Sequence, residues 1–117
     1  MGYYTNFAIE IRTYVTKEVA KSIVDSINNQ IGFKAFSLYE PSNVNDTDET
    51  SWDLEPGDEM KWYEWESDMD KIARKYPNIE FRIEGRGEDK EDWWVGLFKG
   101  ERNQITYAEP PSDRWID

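Results

Sequence analysis

The chain begins with a regular alternation of apolar and polar positions. Phe7, Ile9 and Ile11 occupy every second position within residues 3–15, which predicts a half-buried β-strand. Residues 33–39 alternate in the same way and predict a second strand. The segment between these two strands has a different period.

That intervening segment has the apolar spacing of an amphipathic α-helix, with steps of three and four residues. Its apolar stripe consists of Val19, Ala20, Ile23, Val24, Ile27 and Ile31. Thr16 precedes the stripe as an N-cap, and Gly32 follows it as a residue that readily adopts the left-handed C-cap conformation. The sequence therefore predicts one helix between Thr16 and Gly32.

A long polar stretch separates this first part of the chain from the rest. Residues 40–58 have no clear period and contain two prolines, so they predict a long acidic loop. Residues 60–65 predict a third strand, and Ser67 is expected to begin a second helix that stops before Pro77. Further strands are expected at residues 79–84, 93–98 and 103–108, with a turn at residues 85–87.

Together these patterns predict a single α+β domain over residues 1–117. The first six elements have the strand–helix–strand–strand–helix–strand order of the ferredoxin-like split βαβ fold, an antiparallel sheet with both helices on one face. The last strand is expected to form a C-terminal hairpin that extends this sheet. Residues 109–117, which contain two adjacent prolines, are expected to form a frayed tail.

The composition argues against an enzyme. The chain contains no His and no Cys, so it lacks the common general base near neutral pH, thiolate metal ligands and disulfides. A calcium loop of the EF type beginning at Asp46 would need Gly and Glu where the chain has Ser51 and Gly57. The sequence therefore predicts a non-enzymatic protein without a metal or another cofactor.

The net charge of −11 comes from one segment of the chain. Residues 40–70 contain twelve of the 25 acidic residues and a single base, Lys61, while the rest of the chain is neutral. Such a segment repels nucleic acids and anionic membranes and attracts basic surfaces. The residues expected to contact a partner are Asp46, Asp48, Glu49, Trp52, Asp53, Glu55, Asp58, Glu59, Glu64 and Glu66. Among them, Trp52 is expected to be the apolar anchor.

A rigid row of carboxylates can occupy the Lys and Arg side chains that otherwise bind phosphates, as in a DNA-mimicking inhibitor. The sequence therefore predicts a protein that binds the basic surface of a nucleic-acid-processing enzyme, without direct contact to nucleic acid or membrane. Three alternatives remain open. In the first, the acidic segment is only a solvated face. In the second, the protein is a small-ligand module with a Trp-lined site for a sugar or nucleotide. In the third, it is a structural protein of a virion.

Three sequence motifs add a resemblance to this interpretation. Residues 61–69 (KWYEWESDM), 74–81 (RKYPNIEF) and 85–88 (GRGE) resemble segments of small phage and mobile-element proteins. The resemblance covers about residues 58–100 and includes no catalytic residues. It implies an anti-defence role, such as inhibition of a CRISPR effector or a restriction enzyme, in the cytoplasm of the host cell. The N-terminal residues lack the features of a signal peptide, which agrees with a cytoplasmic location.

Overall fold

The structure has eight elements in the predicted order of strands and helices, although the third strand lies at a different place in the chain. The computed structural model describes residues 4–57, 60–87, 93–107 and 110–116. The elements are β1 (Asn6–Val15), α1 (Lys17–Ile31), β2 (Phe36–Leu38), β3 (Thr50–Pro56), α2 (Trp65–Lys75), β4 (Glu80–Arg86), β5 (Trp93–Lys99) and β6 (Arg102–Thr106). Within the described residues the strands form one antiparallel sheet in the order β2-β3-β1-β4-β5-β6.

The two helices pack on the same face of this sheet. They contact each other, and both contribute to a single apolar core. Ile23 and Ile27 of α1 and Met69 of α2 join the inward-facing residues of the central strands, such as Ile9 and Phe81. The alternation and the helical stripe read from the sequence therefore define the same core, which confirms the α+β architecture.

Both predicted caps of α1 are confirmed. The Thr16 side chain accepts a hydrogen bond from the backbone N–H of Val19 at 3.5 Å. Gly32 has a φ of 105° and donates its N–H to the carbonyl oxygen of Asn28 at 2.8 Å. A left-handed backbone at this position favours glycine because a Cβ would crowd the neighbouring carbonyl group.

The predicted position of the third strand is wrong. Residues 50–56 form β3, so the loop expected over residues 40–58 shortens to residues 39–49. Trp52 and Leu54 face the core, and they alternate with exposed Ser51, Asp53 and Glu55. The acidic residues lie on the solvent side of a regular strand. They obscured its period because the strand has only two inward apolar residues.

Residues 60–65 are not a strand either. Met60 forms an isolated bridge with Thr5, and Tyr63 and Glu64 form a turn. The second helix then begins at Trp65 instead of Ser67, and Glu64 occupies its N-cap position without a capping hydrogen bond from its side chain.

The turn predicted at residues 85–87 is replaced by a continuation of β4 through Gly85 and Arg86. Gly85 lies opposite Trp94 on β5, and the Trp94 ring folds over it to stack on Trp65 at 3.9 Å between ring centroids. A Cβ at Gly85 would lie only 2.1 Å from a ring carbon of Trp94. The absence of a side chain at this position therefore makes the tryptophan stack possible.

The C-terminal segment packs on the sheet face that the helices leave free, so the expectation of a frayed tail is wrong for residues 110–116. Arg82 donates to the Asp113 carboxylate at 2.7 Å, and the Trp115 indole donates to Glu80 at 2.9 Å. Val95 and Leu97 alternate with the helix-facing residues of β5, yet only 1% and 0% of their surfaces are exposed. The segment is bonded to residues on both sides of these two side chains and therefore covers them.

Gly85→Ala should reduce the free energy of unfolding by about 1–3 kcal/mol, because the added methyl group would displace the Trp94 ring from its stack. The matched control is Gly57→Ala, where the nearest atom to an added Cβ is 3.9 Å away. Urea denaturation would measure both changes. Equal stability of the two variants would contradict this role of Gly85.

Candidate protein-binding face

The C-terminal segment divides the helix-free face of the sheet into a covered half and an open half. The covered half lies on β4, β5 and β6, where residues 110–116 make most of their hydrogen bonds, and it is bounded by Arg12 of β1, which donates to the Asp113 carbonyl oxygen. The open half, hereafter the open face, includes Glu10 on β1, Ser37 on β2 and Asp53 and Glu55 on β3, together with Tyr39, one residue beyond β2. It is the part of this sheet surface available to a partner.

Strand register places the acidic side chains of the open face next to each other. Asp53 of β3 lies directly opposite Glu10 of β1, and Glu55 lies opposite Ser37 of β2. Side chains in such pairs have Cβ atoms about 4.5–5.5 Å apart. Tyr39 donates its backbone N–H to the carbonyl oxygen of Asp53 at 3.0 Å, so the strand pairing continues one residue beyond β2.

The negative charge of the open face is only partly compensated. Glu10 pairs with Arg12 at 3.1 Å, but Arg12 also contacts Glu80 at 3.4 Å and the Asp113 carbonyl oxygen at 2.6 Å. Asp53 forms no side-chain hydrogen bond or ion pair within the described ranges, although it faces another carboxylate. Because like charges in a cross-strand pair destabilise the sheet, this pair is unfavourable for folding.

The neighbouring part of the sheet has balanced charge. Glu84 on β4 accepts hydrogen bonds from Arg82 at 2.9 Å, from Arg86 at 3.0 Å and from the Trp93 indole at 2.7 Å. Burial raises the pKa of the Glu84 carboxyl, but the hydrogen bonds from these three residues together lower it by more than burial raises it. The pKa of Glu84 therefore lies below its ordinary value. Within the described part of the chain, the carboxylate on β4 is paired with cations, whereas Asp53 and Glu55 on β3 are not. This difference in charge distinguishes the two halves of the face.

The predicted contact residues do not form one continuous patch. Asp46, Asp48 and Glu49 lie in the loop that precedes β3, where Asp46 is 3.7 Å from Lys17 and Asp48 accepts a hydrogen bond from the Asn45 N–H at 3.0 Å. Part of this loop charge is therefore used within the protein.

Glu64 and Glu66 lie at the start of α2, which follows the other end of β3 in the chain. Seven strand residues separate the loop from that end, a span of about 20 Å. Asp53 and Glu55 lie between the two groups, on the strand itself. Asp58 and Glu59 lie outside the described residues.

The interpretation of Trp52 as an exposed anchor is wrong. Its side chain faces the core of the sheet and is 2% exposed, and its indole donates to the Val15 carbonyl oxygen at 2.9 Å. Sequence reasoning missed Tyr39, which is 49% exposed and lies beside Asp53 at the end of β2. The alternation from buried Phe36 through exposed Ser37 was the available signal for the outward position of Tyr39.

Comparisons with protein-family models, with curated proteins and with solved structures found no match to this chain. Neither helix in the described part of the chain has the length and apolar character that crossing a membrane would need. Among residues 4–57, 60–87, 93–107 and 110–116, no three or more potential ligand side chains form a group that could hold a metal ion.

The lowered pKa of Glu84 predicts a loss of stability in acid. The unfolded chain, with an ordinary Glu pKa near 4.5, binds the proton before the folded protein does. The free energy of unfolding should therefore decrease as the pH falls below this value, toward the lower pKa of the folded state. Urea denaturation at about pH 6 and about pH 3 would measure the change.

In that experiment, Glu84→Gln should show a smaller difference in unfolding free energy between the two pH values than the wild type. Glu55→Gln is the matched control, because Glu55 lies on the same sheet face and makes no ion pair in the described residues. Identical pH dependence of the Glu84→Gln protein and the wild type would contradict the role of Glu84.

Proposed function

We propose that the protein is a non-enzymatic binding protein that docks its open face on the basic, nucleic-acid-binding surface of another protein. The observation that supports this most directly is the cross-strand pair of Asp53 and Glu10 beside Glu55 on an uncovered sheet surface. Folding alone gives no reason to place these carboxylates together, because their repulsion opposes the sheet. A partner with Lys and Arg side chains would remove that repulsion on binding.

The strand backbone favours recognition of a fixed pattern of cations. Asp53 and Glu55 are two residues apart on one strand, so their carboxylates leave the same face about 7 Å apart. Asp53 is held by pairing with Glu10 of β1 and by the hydrogen bond from the Tyr39 N–H, and Glu55 is held by pairing with Ser37 of β2. This fixed backbone reduces the conformational entropy lost on binding. The exposed ring of Tyr39 adds an apolar contact next to Asp53, and Tyr is enriched at binding hot spots.

The class of partner follows from the charge and from the resemblance. A nucleic-acid-binding surface presents the Lys and Arg side chains that carboxylates can occupy, and a protein with a net charge of −11 is repelled by the nucleic acid itself. The resemblance to small phage proteins favours an anti-defence inhibitor acting on a nucleic-acid enzyme in the host cytoplasm. The absence of His and Cys favours binding over catalysis.

The fold that presents the open face is inferred to be the ferredoxin-like split βαβ arrangement with two added strands. In support, the first four strands have the order β2-β3-β1-β4, every neighbouring pair is antiparallel, and the helices follow β1 and β3. In this arrangement β5 and β6 extend the sheet beyond β4, and the C-terminal segment then returns over them.

The double variant Asp53→Asn/Glu55→Gln should bind the partner about tenfold more weakly, because each change removes one side of a close charge pair. The immobilised protein would capture its partner from a bacterial lysate at about 0.1 and 0.5 M salt, between which the Debye length falls from about 10 Å to less than half of that. The captured protein would then be purified and its affinity measured with both proteins. Duplex DNA or RNA should compete with the wild type for it.

The control is the double variant Glu64→Gln/Glu66→Gln. It has the same net charge as Asp53→Asn/Glu55→Gln but leaves the open face unchanged. It should retain the affinity of the wild type. An equal loss of affinity in both double variants would assign binding to overall charge and contradict the proposed site. Capture that neither salt nor a nucleic-acid competitor affects would contradict the proposed class of partner.

A further inference from the structure

A second candidate site lies at the start of α2, away from the open face. It is a groove of about 810 Å³ between the C-terminal end of α1 and residues 60–64, and none of its lining residues belongs to the open face. This volume lies within the range of small-molecule sites, about 300–1,000 Å³. The groove combines an exposed aromatic ring, two lysines, one buried carboxylate and one exposed carboxylate, on Phe33, Lys34, Lys61, Asp68 and Glu64.

The carboxylate of Asp68 is oriented from two sides. The Trp62 indole donates to Oδ2 at 2.8 Å, and the Gln30 amide donates to Oδ1 at 3.2 Å. Asp68 is 7% exposed and is the one buried charged residue among those described. Each carboxylate oxygen has two lone pairs, so one acceptor position remains on each oxygen. A ligand in the groove with two adjacent N–H donors would match these two positions.

The rim of the groove supplies a stacking surface and positive charge. The Phe33 ring is 58% exposed, and such aromatic faces stack with nucleobases. Lys34 and Lys61 line the same groove, and the Lys61 ammonium lies 4.8 Å from the centroid of the Tyr4 ring. Lys61 is also the only base within the acidic residues 40–70. Lysine ammonium groups are common phosphate ligands.

We propose that this groove binds a free guanine nucleotide. Guanine presents adjacent N1–H and N2–H donors on its Watson–Crick edge, which fit the two open acceptor positions of Asp68. The base stacks on Phe33, and the phosphate is neutralised by Lys34 and Lys61. The net charge of −11 disfavours a nucleic-acid strand, so the ligand is a mononucleotide.

The test is calorimetric titration of the purified protein with GMP, AMP, guanosine and a 5′-phosphorylated oligoguanylate. GMP should bind saturably, and AMP should bind about tenfold more weakly because its edge lacks the two adjacent donors. Guanosine should also bind about tenfold more weakly, because it has no phosphate for the lysines. Tighter binding of the oligonucleotide than of GMP would overturn the assignment to a free nucleotide.

Variants test the residues assigned to each part of the ligand. Lys61→Ala should weaken the binding of GMP several-fold and leave the binding of guanosine unchanged, whereas Phe33→Ala should weaken the binding of both ligands. Lys71→Ala and Tyr107→Ala are the matched controls, since both residues are exposed and lie outside the groove. Because Phe33 and Lys61 are also exposed, all four proteins should fold, which thermal denaturation would verify.

The proposal is overturned if GMP shows no saturable binding at concentrations up to about 5 mM. That limit is a few times a dissociation constant of about 1 mM, which already corresponds to weak binding. Equal affinity for AMP and GMP, or equal effects of Lys61→Ala and Lys71→Ala, would also overturn it. The variant Asp53→Asn/Glu55→Gln should bind GMP like the wild type, so the outcome is independent of the open face.

Discussion

The stack of Trp65 on Trp94 positions the second helix on the sheet. It depends on Gly85, because any side chain there would occupy the space of the Trp94 ring. Trp65 is the first residue of α2, so the stack joins the start of the helix to β5. Trp62 and Asp68, on either side of Trp65 in the chain, are thereby brought together at the floor of the groove.

The two faces of the sheet differ because they are covered by different kinds of structure. The helices bury a continuous apolar core on one face, whereas the C-terminal segment covers the β4–β6 part of the other and reaches Arg12 of β1. Beneath and beside that segment, carboxylates and guanidinium groups pair at short distances. Asp53 and Glu55 have no such partners among the described residues, and the result is a surface that favours an external cation.

The two proposed sites therefore use different residues and different chemistry. The open face presents carboxylates to a macromolecule that supplies positive charge. The groove presents lysines and an aromatic ring to a small anionic ligand and has one oriented carboxylate at its floor. The same acidic sequence segment contributes to both, because β3 and α2 direct its residues to different surfaces.

The sequence by itself determined the α+β class, the order of the eight elements and the caps of α1, because these depend on local periodicity and on the conformations available to Thr16 and Gly32. It misplaced β3, since a strand with two inward residues among acids has little local signal. Tertiary structure alone decided that Trp52 is buried, that Asp53 faces Glu10 and that residues 110–116 cover half of one face. Those features depend on register and on contacts between residues distant in the chain, which local patterns do not specify.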